Sequence, residues 1–333
     1  MRAAIITEPR HLEVREVPKP EPTATQVLVR LEGCGVCASN IPPWEGKPWF
    51  NYPMAPGALG HEAWGRVEAV GAEVTGFSPG ERVAMLSNNA YAEYDVADVS
   101  AVVKLPQSLD GDAFPAEPLG CAINIFKRSN IVAQVSNLPS EQASKLETCS
   151  TIAIIGIGFL GALLTQLATA AGARVIAISR REFSLNFARA AGAAHTIPMD
   201  DHHRIIEEVR RLTNGNFCDV VIEAVGKQWP LDLAAELTRE RGRLVVAGYH
   251  QDGPRQVNMQ LWNWRGLDVI NAHERDPAIY LEGMREAAHA VEAGTLKPHP
   301  LYTHRFPLEQ LGDALNMSSE RPDGFMKALV MFS

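Results

Sequence analysis

The chain is 333 residues long, with 46% hydrophobic and 21% charged residues, the make-up of a globular protein with room for two domains that each bury a core. Its formal net charge of -8 argues against nucleic acid or an anionic membrane as a partner, while a local basic pocket for a phosphate stays compatible with it.

The opening, MRAAIITEPRHLEV, alternates early and carries charges, so it reads neither as a signal peptide nor as a membrane span, and no later stretch is apolar enough to cross a bilayer. Up to about residue 118, short β-runs follow one another at residues 3–6, 12–17, 27–34, 64–70, 82–86, 91–96 and 102–105, broken by Pro and Gly. Such spacing predicts a barrel-like all-β unit. From about residue 119 to 291 the pattern alternates, with strands around Ile152, Val175, Ala194, Val220, Leu244 and Leu267. This predicts an α/β region built on a doubly wound parallel sheet. Residues 129–149 form a polar connector that carries no signal for any element. After Gly294, loop and strand return, with a short helix at residues 308–317 and a closing strand at residues 327–332. The last segment is therefore expected to rejoin the N-terminal unit. One domain would comprise residues 1–118 plus 294–333, and the other, inserted into it, residues 119–293. Five cysteines (Cys34, Cys37, Cys121, Cys149 and Cys218) are odd in number and scattered, which favours a reduced cytoplasm over a disulfide scaffold.

The stretch that organises the second domain is TIAIIGIGFLGALLTQLATAAGARVIAISRR, residues 151–181. A β-branched run leads into Gly156-Ile157-Gly158-Phe159-Leu160-Gly161, then helical spacing, then a second apolar run ending at Ser179. Strand, glycine turn, helix and strand in that order form a dinucleotide site. The first Gly permits the turn, the second lets a pyrophosphate approach the backbone, and the third packs the helix on the strand. The N–H groups of Phe159 and Leu160 open the helix toward the phosphates. At the end of the second strand, where a carboxylate would hold the ribose 2′-hydroxyl of NAD, stand Ser179, Arg180 and Arg181. A hydroxyl and a guanidinium suit a 2′-phosphate, so NADP is favoured over NAD, although both arginines can equally be solvated residues opening the next helix.

Donor atoms for a metal occur in three pieces of the first domain: GVCASN around Cys37, GHE around His61, and EPL around Glu117. A catalytic zinc takes three protein ligands and keeps one position open, and thiolate, imidazole and carboxylate are all acceptable to it. Cys37, His61 and Glu117 would supply one of each. Cys34 completes a CxxC with Cys37, yet no second pair follows at short spacing, so Cys34 reads as a buried strand residue. Glu117 precedes Pro118, the favoured first residue of a helix, and can also be read as a plain cap. Cys121, one turn further on, is the rival third ligand.

With these motifs assembled, the whole chain resembles a medium-chain, zinc-dependent alcohol dehydrogenase. GVCASN is similar to that family's zinc loop, PGALGHEAWGRVEAVG to its GHE segment, IGIGFLG to its nucleotide turn, and PAEPL to the polyol and threonine dehydrogenase branch. YTHRFPLEQLGDAL and GFMKALVMF look like its closing region. The resemblance implies a GroES-like β-barrel catalytic domain interrupted by a Rossmann domain, an active site in the cleft between them, and a homodimer or homotetramer. It assigns zinc to Cys37, His61 and Glu117, a proton relay to Ser39, a place beside the metal to Glu62 as a supporting group or occasional ligand, and a pyrophosphate contact to Lys327. Three departures stand out. Asn40 replaces the usual Asp that supports the zinc-bound His, which would make that ligand less basic. Pro42 replaces a His that ends the relay in some members. A four-cysteine lobe is missing between Arg82 and Tyr91, so a single catalytic zinc and no structural zinc is expected.

These readings converge on a zinc-dependent oxidoreductase that moves a hydride reversibly between an alcohol and NAD(P). Resemblance to the polyol branch tilts the substrate toward a polyol or amino alcohol. Trp44, Trp49, Phe50 and Tyr52 crowd the loop after the zinc cysteine, with Asn271 and His273 after the last Rossmann strand. They would wall a substrate pocket, or simply close the barrel end. Two alternatives are a metal-free quinone or enoyl reductase of the same superfamily, which would lack the Cys, His and Glu set, and a non-catalytic NADPH-binding protein.

Overall fold

The computed structural model describes residues 1–131 and 150–332. Most of the polar connector, and Cys149, lie outside the described residues. The chain divides into two compact units, Met1–Gly120 with Asp276–Gly294 and Pro298–Ser333, and Cys121–Arg275 with Thr295–Lys297.

The first unit is built on a sheet of seven strands. Its central path runs His304–Pro307, Ala328–Met331, Gln26–Gly35, Ala63–Val70, Arg82–Met85, Val102–Lys104, and Tyr94–Asp98 pairs with Gln26–Gly35 off that path. The spine is Gln26–Gly35, where Val27, Val29 and Leu31 point inward at alternate positions and are almost fully buried. Its C-terminal end is held from both sides, since Cys34 pairs with Ala63 on one neighbour and with Val330 on the other. The last segment of the chain therefore rejoins the first unit, as the sequence suggests. Arg2–Glu8 and His11–Glu16 form a separate two-stranded antiparallel sheet.

The second unit is a six-stranded parallel sheet in the order His195–Pro198, Arg174–Ser179, Thr151–Ile155, Cys218–Glu223, Thr238–Val246, Asp268–Asn271. The chain winds outward one way from Thr151–Ile155 and then crosses to its other side, so the order reverses beside the first strand. That is the doubly wound arrangement, with ligands expected outside the carboxyl ends at the reversal. Continuous apolar strands fit it, because both faces of a parallel sheet are covered, and residues 152–155 are wholly buried.

The sequence draws the return into the first unit at residue 294, whereas the structure makes it at Asp276. The cause is the helix Pro277–Glu292, which belongs with the first unit: Tyr280 donates a hydrogen bond to Glu117, and Ser108 donates one to Glu292. Helical periodicity cannot say which sheet a helix packs on. Residues 295–297 in turn go with the second unit, where Gln166 and Lys297 exchange hydrogen bonds of 2.7 and 3.2 Å.

Candidate metal centre and nucleotide turn

Cys37 follows the strand Gln26–Gly35 and caps the short turn Ala38–Asn40. His61 and Glu62 stand on the segment that enters the strand Ala63–Val70. Since these two strands are neighbours, with Cys34 paired to Ala63, the three side chains meet: one donor atom from each of Cys37, His61 and Glu62 lies within 4.8 Å of the other two. Ligands on one tetrahedral zinc stand about 3.6 Å apart, given metal–ligand distances of roughly 2.0–2.3 Å. The cluster is therefore close to a binding geometry.

Local hydrogen bonding prepares these donors. Nδ1 of His61 is 2.8 Å from the carbonyl of Leu59. A carbonyl only accepts, so Nδ1 carries a proton in either charge state, and Nε2 is the nitrogen that a metal would take once its own proton is lost. Nε2 lies 3.5 Å from Ser39 Oγ. Asn40, buried, donates through Nδ2 to the same Leu59 carbonyl at 3.0 Å and accepts through Oδ1 from the Cys37 N–H at 3.1 Å and the Tyr91 hydroxyl at 2.8 Å. The expectation that Asn40 acts directly on the histidine is thus corrected: the Leu59 carbonyl takes that place, and Asn40 ties it to the cysteine loop. Leu59 holds a left-handed φ of 75°, which costs a non-glycine residue about 1–2 kcal/mol.

Glu62 is fully buried, and its carboxylate is paired with Lys327 Nζ at 2.6 and 2.7 Å. Only glycine at position 35 leaves it room, since a Cβ there would lie 1.8 Å from Glu62 Oε2. Burial pulls the Lys327 ammonium toward neutrality, but the charges of Glu62, Cys37 and Glu117 outweigh it and hold the proton on. Burial likewise opposes charge on His61, and the hydrogen bond and charge of Cys37, with Glu117 and Glu62 behind it, raise its pKa to about 10.

Negative charge nearby thus favours the protonated forms of both His61 and Lys327. With Cys37 bound as thiolate and Glu62 and Glu117 as carboxylates, three negative charges would face the single positive charge of Lys327, and a divalent cation beside a neutral His61 would bring the sum to zero. Oε2 of Glu62 is buried and has no hydrogen bond with adequate geometry. Donor set, spacing and charge all fit a zinc ion.

The structure changes the emphasis among the expected site residues. Cys37 and His61 come together as expected, but the third donor in the cluster is Glu62, not Glu117. Glu117 stands in the first turn of the helix Ala116–Ser129, which starts ahead of Pro118, and Oε1 accepts a hydrogen bond from Tyr280. Burial and the charge of Glu62 raise its pKa against the pull of His61. It is an electrostatic neighbour of the cluster. Cys121 is not in the cluster, and Cys34 is the buried strand residue that the sequence suggests, with a thiol pushed far up by burial. Lys327, which the resemblance assigns to the pyrophosphate, is committed to Glu62 because a buried ammonium needs a counter-charge. Trp44 is no pocket wall: it is 1% exposed and its indole N–H donates to Asn316 Oδ1 at 2.8 Å. Trp49, by contrast, is 57% exposed.

In the second unit the three glycines of the turn have different surroundings. Gly156 has φ +95°, and a Cβ there would meet Val225 at 2.4 Å. Gly161 must be glycine because a Cβ would stand 2.0 Å from the Gly156 carbonyl. Gly158 caps the helix Phe159–Ala170 and faces open space, with nothing within 4 Å of an added Cβ. At that position the N–H groups of Phe159 and Leu160 begin the helix. Ser179 is buried at the end of its strand, while Arg180 is exposed and makes no ion pair among the described residues.

Glu62, adjacent to His61, is the residue that the resemblance offers as an occasional ligand, and here it is the third donor of the cluster. Leu59, Tyr91 and Tyr280 leave no such trace, since their parts are set by pairings distant in the chain. Among the described residues, no helix is long and apolar enough to cross a membrane.

Comparison with known proteins gives two family matches: "Alcohol dehydrogenase GroES-like domain" over residues 23–107 and "Zinc-binding dehydrogenase" over residues 160–288. The chain is 25% identical over 362 residues to a sorbitol dehydrogenase of Bacillus subtilis, covering 99% of this chain and 97% of that protein. It is 31% identical over 263 residues to alcohol dehydrogenase 2 of Caenorhabditis elegans, covering 73% of each. Among solved structures, a zinc-binding dehydrogenase of Sinorhizobium meliloti bound to NADP superposes with a TM-score of 0.82 at 24% identity, over 99% of both chains.

Proposed function

The chain belongs to the medium-chain zinc alcohol dehydrogenases, in their polyol and threonine dehydrogenase branch, and on that premise we propose that it is a zinc-dependent, NADP-preferring dehydrogenase of a polyol or amino alcohol. At the coarser level it is an oxidoreductase of alcohols and their carbonyl products. The observation that carries the finer reading is the cluster of half-buried Cys37 and His61 with buried Glu62, surrounded by negative charge that holds a proton on His61.

When bound, zinc supplies Lewis-acid polarisation of the substrate oxygen, and the nicotinamide accepts or returns the hydride. Cys37, His61 and Glu62 would hold the ion, with the Glu117 carboxylate beside them. The Leu59 carbonyl keeps the His61 proton on Nδ1, so that Nε2 stays a ligand. Ser39 Oγ, 3.5 Å from His61 Nε2, takes the proton of the substrate hydroxyl. The relay then leaves Ser39 through water or the coenzyme ribose, since Pro42 offers no proton acceptor. In the second unit, Gly158 admits the pyrophosphate to the N–H groups of Phe159 and Leu160. Ser179 and Arg180 receive the 2′-phosphate. Enzyme assembly as a homodimer or homotetramer and a cytoplasmic location follow from the family resemblance and the cysteine pattern.

The test is metal analysis of the purified protein with a screen of polyols, amino alcohols and carbonyl compounds against NADP and NAD. The reading expects one zinc per chain, lost with turnover in Cys37→Ala. It also expects Arg180→Ala to raise KM for NADP about ten- to hundredfold, as for the loss of a charged hydrogen bond, with NAD unaffected. Full turnover in a zinc-free protein would overturn it.

A further inference from the structure

Tyr280 lies in the first turns of the helix Pro277–Glu292, which is capped by Asp276 accepting the Ala278 N–H at 2.9 Å. Its hydroxyl donates to Oε1 of Glu117, at the start of the helix Ala116–Ser129. The two helices approach so closely that a Cβ on Gly120 would stand 2.8 Å from the backbone nitrogen of Met284. Glycine at that crossing fixes how near Tyr280 comes to Glu117.

The chemistry of the pairing is specific. Glu117 feels both His61 and the like charge of Glu62, yet it is outside the three-donor cluster. Left alone, a carboxylate among other anions turns away from them. A lysine or arginine would hold it, but its charge would compete with an incoming cation for the site. A phenol holds it with a hydrogen bond and adds no charge.

We propose that Tyr280 is a positioning residue of the metal centre, holding the Glu117 carboxylate beside Cys37, His61 and Glu62 so that an entering divalent cation meets three anions rather than two. This rests on the reading that a cation occupies the cluster. Groups that orient the surroundings of a metal typically contribute about ten- to hundredfold to its affinity.

The experiment is a competition between the full-length protein and a chromophoric zinc chelator, with visible spectra of the cobalt-substituted protein alongside. Tyr280→Phe is expected to weaken zinc binding about ten- to hundredfold and to shift the cobalt bands. Glu117→Gln should do the same, and adding Tyr280→Phe to it should cost nothing more, because the tyrosine acts through the carboxylate. An unchanged affinity in Tyr280→Phe, or an undiminished loss in the Glu117→Gln background, overturns the proposal. Cys37→Ala separates the two readings: if it retains zinc at wild-type affinity, the metal centre itself is wrong, whereas loss there with no effect of Tyr280→Phe removes only the role of the tyrosine.

Discussion

The glycine turn and the metal cluster serve one proposed reaction but are encoded in opposite ways. Residues 151–161 make their site from consecutive backbone, where Gly161 answers to the Gly156 carbonyl, Gly156 to Val225 on a neighbouring segment, and Gly158 to open space. The candidate metal centre brings the Cys37, His61 and Glu62 cluster together with its charged neighbours Glu117 and Lys327 from distant stretches and binds them by charge. The first site is a shape, tolerant of an empty pocket. The second is an electrostatic construction whose buried anions must be offset whether or not a metal is present.

That contrast can be broken most readily at Lys327. Lys327→Met strands a buried carboxylate, and removing one partner of a buried pair costs about 3–5 kcal/mol. Chemical denaturation in the presence of a chelator should show this loss in full, and saturating zinc should recover much of it, since the ion takes over the charge of Glu62. An equal loss with and without zinc would mean that the cation does not sit at Glu62.

The same contrast explains what was legible in the sequence. The turn, the six parallel strands and the return of the C-terminal segment all follow from local periodicity and glycine placement. Cys37 and His61 were legible because their motifs flank a strand pair. Which of Glu62 and Glu117 stands third in the cluster was less so, because it depends on where the helix Ala116–Ser129 sets its first turn and on Tyr280, distant in the chain. Lys327 was likewise given to the pyrophosphate, as nothing in GFMKALVMF reports that its ammonium is buried against Glu62. Trp44 shows the same limit: an aromatic after a metal loop reads as a pocket wall until its partner Asn316 is known.

The glycine turn offers a smaller and cleaner pair of tests. Gly161→Ala forces a Cβ against the Gly156 carbonyl and should destabilise the protein by about 1–3 kcal/mol, as overpacking does. Gly158→Ala meets no protein atom, so its melting temperature should hold while coenzyme affinity falls. Thermal melts and coenzyme titrations on both variants check this, and a matching loss of stability at Gly158 would deny that it faces the pyrophosphate.

The smallest effect sharpens the electrostatic side. In the metal-free protein His61 is raised from 6.5 to about 10. A raised value means that the protonated imidazole stabilises the fold fully below pH 6.5, and that this contribution is lost as pH rises through about 10. A ligand must give up the proton on Nε2, so zinc binding near pH 8 should release protons and tighten as pH increases. Calorimetry in buffers of different ionisation enthalpy counts them, and zinc uptake with no proton release would contradict the charge argument.

The account depends above all on one cation held jointly by Cys37, His61 and Glu62. X-ray absorption at the zinc edge tests it most directly, because a sulfur ligand at about 2.3 Å is resolved from nitrogen and oxygen at about 2.0–2.2 Å. The account predicts one sulfur among nitrogen and oxygen ligands, with the sulfur shell lost in Cys37→Ala. A zinc site with several sulfurs, or one unchanged by that substitution, would contradict it.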